Sequence, residues 1–170
     1  AASLLAERLG LPGASLQSLL TAQHKFLARQ IHAKCMPENV PPFCGFRYDA
    51  DVRTAVTIDY PVFVKPVKAA FSVLAKRCKD EAALRAHLKF ALWEKCIIKR
   101  LTWPFRRVSA QRIEWEIDAE CFIAEGCVDG ALQVCVDGYA KDGEVHILGT
   151  VDSVMYPGTS AFMRFEYPSQ

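Results

Sequence analysis

Apolar residues recur at helical spacing in the first part of the chain. Between residues 16 and 35 they stand three or four positions apart, which predicts one amphipathic helix. Pro12, Gly13 and a candidate N-cap, Ser15, precede this stretch. The apolar positions are Leu16, Leu19, Leu20, Phe26, Leu27 and Ile31.

Proline ends that helical pattern. A cluster from Pro37 to Pro42 follows it, and proline lacks the amide hydrogen that a continuing helix needs. A short apolar piece comes next, from Phe43 to Phe46. We therefore expect the helical region to give way to extended chain here.

The middle of the chain predicts a strand, a loop and a second strand. Residues 61–65, PVFVK, are typical of a buried strand. We expect Pro66 to end it and a short turn from Val67 to Phe71 to follow. Residues 72–78 then form a second candidate strand.

A helix and a connector are predicted after these strands. Asp80 can cap a helix whose apolar side chains lie at helical spacing. Residues 97–118 mix apolar and charged positions without a clear period and include Pro104. We interpret them as a connector that contains some helix. The apolar positions of the helix are Leu84, Leu88, Ala91 and Leu92.

The last third of the chain changes to strict alternation, which is typical of half-buried strands. Apolar or small residues alternate with others over residues 133–140 and again over residues 145–151. Asp142 and Gly143 stand between the two runs, and this pair favours a type I′ turn because both of its residues tolerate positive φ. The pattern predicts an antiparallel hairpin, and the whole chain is predicted to be an α+β domain.

Composition supports a globular domain. Of the 170 residues, 51% are hydrophobic and 24% charged, and the formal net charge is +2, values that exclude global disorder. The charge is unevenly spread, however: residues 61–107 carry 12 Lys and Arg against 3 Asp and Glu, whereas residues 108–170 carry 3 against 11. The basic block can meet phosphates, and mutual compensation across one folded surface is the equally weighted alternative.

The cysteines and the absence of long apolar runs favour a cytoplasmic location. Seven cysteines form neither a Cys-x-x-Cys pair nor a zinc-ligand spacing with histidine, so no metal–thiolate site is expected. Free cysteines and no signal peptide favour a reducing, cytoplasmic location. No apolar run reaches membrane-spanning length, so a membrane is not an expected partner.

His24 is interpreted as a helix-surface residue, and no histidine is assigned a catalytic role.

One candidate binding segment is FVKPVKAAFSVLAK, residues 63–76. It places Lys65 at a strand end and a turn of mostly small residues after it, where free amides and two ammonium groups can approach an anion. The segment contains no glycine and matches neither a P-loop nor a dinucleotide-binding fingerprint. Taken alone, a solvated basic hairpin is the favoured alternative, because surface lysines are common.

A second candidate segment is CFIAEGCVDGALQVCVDG, residues 121–138. Glu125 stands in an otherwise apolar strand, where its carboxylate could accept hydrogen bonds from a ligand. The backbone of Cys127 and Val128 could pair with a purine edge. The alternative is a glutamate at a strand end that points to water.

Together these segments resemble the ATP-grasp superfamily of carboxylate–amine and carboxylate–thiol ligases. Four features carry the resemblance: Lys25 in the run AQHKFLARQ, the strand that ends in Lys65 and Pro66, the loop of residues 68–72, and the strand that ends in Glu125 before an antiparallel sheet. Residues 136–164, which begin with VDGYAKDGEVHILG and end within the run YPGTSAFMRFEYPS, resemble the amino-acid-ligase branch that includes carnosine-synthase-like enzymes.

The resemblance implies a role for each matching residue. Lys25 and Lys65 would contact the nucleotide phosphates, and Glu125 with the backbone of Cys127 and Val128 would hold the adenine. A loop that lacks the usual glycines would close over the phosphates; it consists of Lys68, Ala69, Ala70, Phe71 and Ser72.

Two further residues are candidates. Gln133 stands near the position where many relatives have a glutamate directed to the ribose. Arg164 could bind a substrate carboxylate through both of its terminal nitrogens. An arginine that extends from a sheet edge into water is the equal alternative for Arg164.

The resemblance also implies cofactors and substrates. ATP and Mg²⁺ would be required, and a small carboxylate and an amine would be joined through an acylphosphate. The glutamate and the Glu-x-Asn pattern that bind Mg²⁺ in relatives are expected beyond Gln170. The chain begins without Met in a helical pattern and ends soon after a strand-like stretch, so we expect it to be incomplete at its C-terminus and inactive by itself.

The implied ATP-grasp-like organisation has three parts. Residues 1–60 form a helical segment and linker, residues 61–118 the small subdomain with its phosphate loop and connector, and residues 119–170 the start of the large antiparallel sheet. Another function stays open, a non-catalytic nucleotide-binding or interaction module of the same fold. A nucleic-acid-binding domain is the less favoured alternative, because a formal net charge of only +2 argues against nucleic acid as the main partner. Such a domain would use the basic block of residues 61–107, with Trp93, Trp103 and Phe105 as stacking groups. The sequence leaves open the identity of the substrates and whether the protein forms a homo-oligomer.

Overall fold

The computed structural model of the chain describes residues 2–69, 72–110, 112–113, 116–128, 130, 132–157 and 162–169. It contains two compact units, Ala1–Cys127 and Val128–Gln170. None of the helices in the described part of the chain is both long and apolar enough to cross a membrane. The predicted three-part organisation with boundaries at residues 60 and 118 stays a prediction.

Three helices open the first unit: α1 (Ala2–Leu9), α2 (Leu16–Gln23) and α3 (Lys25–Cys35). The prediction of one helix over residues 16–35 is wrong, because the chain is extended at His24, with φ −98° and ψ 99°. The Nδ1 atom of His24 accepts a hydrogen bond from the Leu27 amide at 3.4 Å and so caps α3. His24 is fully buried, which corrects its interpretation as a surface residue.

A four-stranded antiparallel sheet forms the centre of this unit. Its strands are β1 (Phe43–Phe46), β2 (Val62–Pro66), β3 (Lys76–Cys78) and β4 (Phe122–Gly126), in the order β1-β4-β2-β3. The strand predicted at 61–65 is present but includes Pro66. The strand predicted at 72–78 is shorter, because Ser72 and Leu74 have φ values of 54° and 55°, which are incompatible with extended chain.

Three more helices complete the first unit: α4 (Val52–Ala55), α5 (Glu81–His87) and α6 (Leu92–Ser109). The helix predicted to run from Asp80 to Leu92 is two helices, and the Glu94 side chain accepts the Ala91 amide at the start of the second. The connector predicted at 97–118 contains helix, as expected, but the helix is continuous as far as Ser109. Its buried residues Ile98, Thr102, Phe105 and Ser109 share one helix face, and packing of that face outweighs the hydrogen bond lost at Pro104.

The main core lies between one face of the sheet and α4 to α6. Strand β2 alternates, with Val62 and Val64 fully buried in this core and Phe63 and Lys65 on the opposite face. The opposite face carries a second cluster in which α3 packs through Phe26; the other buried members are Val67, Cys121 and Ile123. Lys65 therefore lies on the sheet face that α3 covers.

The second unit is a three-stranded antiparallel sheet of β5 (Val134–Lys141), β6 (Glu144–Met155) and β7 (Phe162–Glu166), in that order. The predicted hairpin is confirmed: Asp142 and Gly143 have φ values of 53° and 84°, as a type I′ turn requires. A register shift lies at Asp137 and Gly138. A side chain at Gly138 would collide with the carbonyl oxygen of His146, so the bulge needs glycine there.

Candidate functional site

A buried carboxylate lies on the sheet face that α3 covers. Glu125, in β4, is 5% exposed, and its neighbours across the sheet are Phe43 on β1 and Phe63 on β2. It does not point to water, which removes the alternative interpretation of this glutamate. A buried carboxylate needs cationic or hydrogen-bonding partners, and Glu125 has two.

Arg29 and Lys65 are these partners, and each takes a different oxygen. The Nε atom of Arg29 donates to Oε1 at 2.6 Å, and Nη2 lies 2.5 Å from the same oxygen. The ammonium group of Lys65 forms an ion pair with Oε2. Lys65 lies diagonally from Glu125 across the antiparallel pair of β2 and β4, because Phe63 is the residue directly opposite.

Lys25 stands at the first position of α3 and is held by the chain that follows β2. Its backbone amide donates to the Val67 carbonyl at 2.9 Å, and its Nζ donates to the Ala69 carbonyl at 2.6 Å. Burial lowers the pKa of Lys25 to about 8, with a further contribution from the positive charges of Lys65 and Lys68; Glu125 opposes the shift.

Lys68 completes the group of cations. Its Nζ donates to the side-chain oxygen of Gln23 at 2.8 Å and lies 5.1 Å from the centre of the Phe105 ring. Burial lowers its pKa as well. We call Lys25, Arg29, Lys65 and Lys68 the cation cluster. Arg29 and Lys65 pair with Glu125, the buried acid among the described residues, and the charges of Lys65 and Lys68 act on Lys25. Such an excess of positive charge favours an anionic ligand.

The remaining predicted loop residues are only partly described. Ala69 contributes its carbonyl oxygen to Lys25, and Ser72 is exposed, with positive φ. Ala70 and Phe71, two further predicted contacts, lie outside the described residues. The predicted closure of this loop over a nucleotide stays a prediction.

Apart from Glu125, the predicted adenine and ribose contacts lie beyond the end of β4. Cys127 is half-buried and is the last residue of the first unit, whereas Val128 is exposed and opens the second. Gln133, in the second unit, is exposed, and its backbone oxygen accepts the Ser153 amide at 2.8 Å. The predicted roles of these three residues stay predictions.

Arg164 lies on β7 and is exposed. Its Nε donates to Oε1 of Glu166 at 2.8 Å, and its Nη2 forms an ion pair with the same oxygen. Glu166 lies two residues away on the same strand, so it occupies the guanidinium face that would bind a carboxylate. The predicted substrate contact of Arg164 stays a prediction.

Sequence reasoning did not include Arg29 in the site. It stands four residues after Lys25, which places the two side chains one turn apart on the same helix face. That spacing was the one indication in the sequence that Arg29 belongs to the site. The spacing alone does not place Arg29 at Glu125, because this contact depends on Phe26, which packs α3 onto the sheet.

The described residues do not assemble a magnesium site. No group of three or more His, Cys, Asp or Glu side chains within them could hold a metal ion. No residue of the described ranges is therefore assigned as a metal ligand. The predicted location of the ligands beyond Gln170 stays a prediction.

Solved structures with the same fold are ATP-grasp ligases. The L-amino acid ligase of Bacillus licheniformis matches with a TM-score of 0.66 and 22% identity, over 92% of this chain and 33% of its own. The VanG D-Ala:D-Ser ligase of Enterococcus faecalis matches with a TM-score of 0.61 and 17% identity, over 98% of this chain and 43% of its own. The D-alanine–D-alanine ligase of Helicobacter pylori matches with a TM-score of 0.57 and 15% identity, over 94% of this chain and 44% of its own.

Other comparisons gave no match: no family model fits the sequence, and no curated protein is similar to it. The chain spans less than half the length of the three ligases described above. The expected α+β, ATP-grasp-like fold is confirmed, and the chain matches a part of each of these ligases.

Proposed function

We propose that this chain is the ATP-binding part of an ATP-dependent ligase that joins a carboxylate to an amine. The observation that supports this best is the buried Glu125, paired with Lys65 and Arg29, next to Lys25 and Lys68. These residues lie on a fold shared with ATP-grasp ligases. Four of the five, all except Arg29, were predicted from the sequence as contacts to the nucleotide.

The cation cluster suits a polyphosphate. Lys25 and Lys65 are partly buried, and attraction between a cation and a phosphate is stronger there than at an open surface. The lowered pKa of Lys25 shows that burial and the neighbouring cations disfavour its charged form. A bound polyanion would reverse that balance, so binding a phosphate chain would stabilise the protonated lysines.

Glu125 suits the nucleobase. A carboxylate accepts hydrogen bonds, and the exocyclic amino group of adenine is a donor. Cys127 follows Glu125 closely on the chain, and its backbone would supply a further contact to the base. ATP would therefore be held by the lysines at its phosphates and by Glu125 at its base.

The reaction would proceed in two transfers. A carboxylate oxygen of the first substrate attacks the terminal phosphorus of ATP, the bond from that phosphorus to the bridging oxygen breaks, and ADP leaves. The amine then attacks the acyl carbon, inorganic phosphate leaves, and the amine loses a proton to give the amide. The part played by this chain is to orient the phosphates and to offset their charge, which is most of what phosphoryl transfer requires of a protein.

Two measurements test the proposal. Titration of ATP into the 170-residue chain should show saturable binding, which the absence of any binding would contradict. In the protein as its gene encodes it, ADP release should require both a carboxylate and an amine. ATP binding without such release would favour the non-catalytic nucleotide-binding module.

Nucleic-acid binding is less well supported. Phe105, one of the three predicted stacking groups, is buried, so that part of the alternative is wrong. Trp93 and Trp103 are exposed on α6, and the Arg107 guanidinium lies 5.3 Å from the Trp103 ring. Affinity for a single-stranded oligonucleotide would collapse with rising salt, whereas discrimination between ATP and GTP should persist.

A further inference from the structure

We infer that Arg29 is a positioning residue that holds Glu125 in place to recognise the nucleobase while Lys65 changes partner from Glu125 to phosphate. This inference rests on the proposed function. It adds Arg29 to the residues of the site and assigns a different partner to each carboxylate oxygen of Glu125. It also predicts that Arg29 affects the selectivity for the base.

The two carboxylate oxygens of Glu125 have different partners, one rigid and one flexible. Oε1 receives two nitrogens of one rigid guanidinium, at 2.6 and 2.5 Å. Oε2 receives the single ammonium of Lys65. A planar guanidinium fixes the orientation of a carboxylate, whereas an ammonium on a flexible stem acts as a point charge and moves easily. The geometry therefore separates a fixed partner from an exchangeable one.

A phosphate would compete with Glu125 for the ammonium group of Lys65, because two anions would then share one positive charge. If its ammonium turns to a phosphate, Oε2 of Glu125 loses its partner in a position that is only 5% exposed. An isolated carboxylate in such a place is strongly disfavoured. Arg29 removes this obstacle, because its contacts to Oε1 do not involve Lys65 and can persist when the lysine leaves.

Arg29 is anchored independently of any ligand. The helix that carries it, α3, is fixed at its start by the bond from the Lys25 amide to the Val67 carbonyl. Phe26, one turn before Arg29, is buried, and its ring lies edge-on to Phe43 on β1 with centres 5.6 Å apart. Arg29 is thus presented to Glu125 by a packed helix and not by a loop.

The consequence is base selectivity. Once Lys65 has left, Oε2 can accept a hydrogen bond from the 6-amino group of adenine. Guanine carries a carbonyl oxygen at that position, which a carboxylate repels. Selectivity therefore depends on keeping Glu125 charged and correctly oriented, which is the task that the structure assigns to Arg29.

The test compares ATP and GTP binding to the 170-residue chain by calorimetric titration. We expect Arg29→Met to reduce the preference for ATP over GTP by at least about tenfold, the lower limit expected for loss of one hydrogen bond to a charged group. Arg29→Lys should restore part of the preference. The matched control is Arg47→Met, because Arg47 is exposed and pairs with the exposed Asp49; the preference should not change.

A merely structural role gives a different result. If Arg29 only supported the fold, Arg29→Met would weaken ATP and GTP equally and leave their ratio unchanged, which would overturn the inference. If Arg29→Met does not fold, Arg29→Gln is measured in its place, and the same loss of preference for ATP is expected. Binding of neither nucleotide by the wild-type chain would instead overturn the proposed function, so the two failures are distinguishable.

Discussion

The Nζ atom of Lys25 donates a hydrogen bond to the carbonyl oxygen of Ala69 across 2.6 Å. This bond links the first turn of α3 to the segment that follows β2, between residues separated by 44 positions in the sequence. Ala69 thereby takes one of the three N–H donors of this ammonium group. A phosphate bound at Lys25 would compete with this carbonyl, as it would compete with Glu125 at Lys65.

Lys65→Ala should weaken ATP binding by roughly 1.5–3 kcal/mol, the range for a hydrogen bond to a charged group. The side chain emerges from a strand whose neighbouring positions, Val64 and Pro66, are buried, so its ammonium acts from a rigid, partly desolvated surface. Calorimetric titration of ATP into the folded variant measures the effect.

Lys79→Ala is the control for that substitution. Lys79 is a highly exposed lysine 3.9 Å from Asp80, beyond the loop, and its removal should change ATP affinity little. Equal affinity of the wild type and Lys65→Ala would contradict the assignment of Lys65 and weaken the ATP-binding proposal with it.

The affinity for ATP should fall as the pH rises above about 8. Phosphate binding favours the protonated form of Lys25, whose pKa is lowered to about 8 by burial and by the charges of Lys65 and Lys68. Below that pH the lysine is already charged. Above it, a proton must be taken up on binding, so the association constant decreases with pH until the raised pKa of the bound state is reached.

Lys25→Arg separates this effect from other titrations, because arginine stays charged over the whole range. The pH dependence measured for the wild type between pH 7 and pH 9.5 should be flatter in this variant. An identical slope in both proteins would show that Lys25 is not the titrating group.

Acid should destabilise the first unit through His24. Burial lowers the pKa of this histidine from 6.5 to about 4, so between these values the unfolded chain binds more protons than the folded one. The free energy of unfolding therefore falls as the pH drops from 6.5 to 4, by up to about 3 kcal/mol at about 1.4 kcal/mol for each tenfold change in proton affinity.

His24→Asn tests this assignment. Asparagine can still accept the Leu27 amide as an N-cap but does not titrate. Urea unfolding at several pH values should show a shallower loss of stability between pH 6.5 and pH 4 than in the wild type, whatever the absolute stability of the variant. The same loss in both proteins would assign the acid sensitivity to other groups.

Gly45→Ala should destabilise the first unit by about 1–3 kcal/mol, the usual effect of overpacking a closely packed position. A Cβ atom at Gly45, in β1, would lie 2.9 Å from Cδ2 of Phe26 and would collide with Cδ1 of Ile117. The Ile117 side chain can turn away, but the Phe26 ring is confined between α3 and the sheet. Chemical unfolding measures the loss.

Gly13→Ala is the matched control, since its Cβ would meet only the Cβ of Ala6 at an ordinary 3.5 Å. Its stability should stay close to that of the wild type. Unchanged stability of Gly45→Ala would mean that α3 can shift from β1, and it would weaken the view that α3 presents Arg29 from a fixed position.

The features that depend on near neighbours in the chain could be predicted from the sequence. The hairpin of β5 and β6 follows from alternation and from the local φ preferences of Asp142 and Gly143. Strand β2 follows from a run of β-branched and aromatic residues next to Lys65. The resemblance in the order of Lys25, Lys65 and Glu125 along the chain then indicated the fold.

Only the tertiary structure decided the features that depend on distant packing. Helix α6 continues through Pro104 because its buried face gains more from the core than one lost hydrogen bond costs. The helices α2 and α3 separate at His24 because a buried ring caps the second of them. The union of Arg29 with Glu125, 96 positions apart, arises because Phe26 packs α3 onto the sheet. Local preference acts over a few residues, whereas burial and ion pairing depend on which surfaces meet in the folded chain.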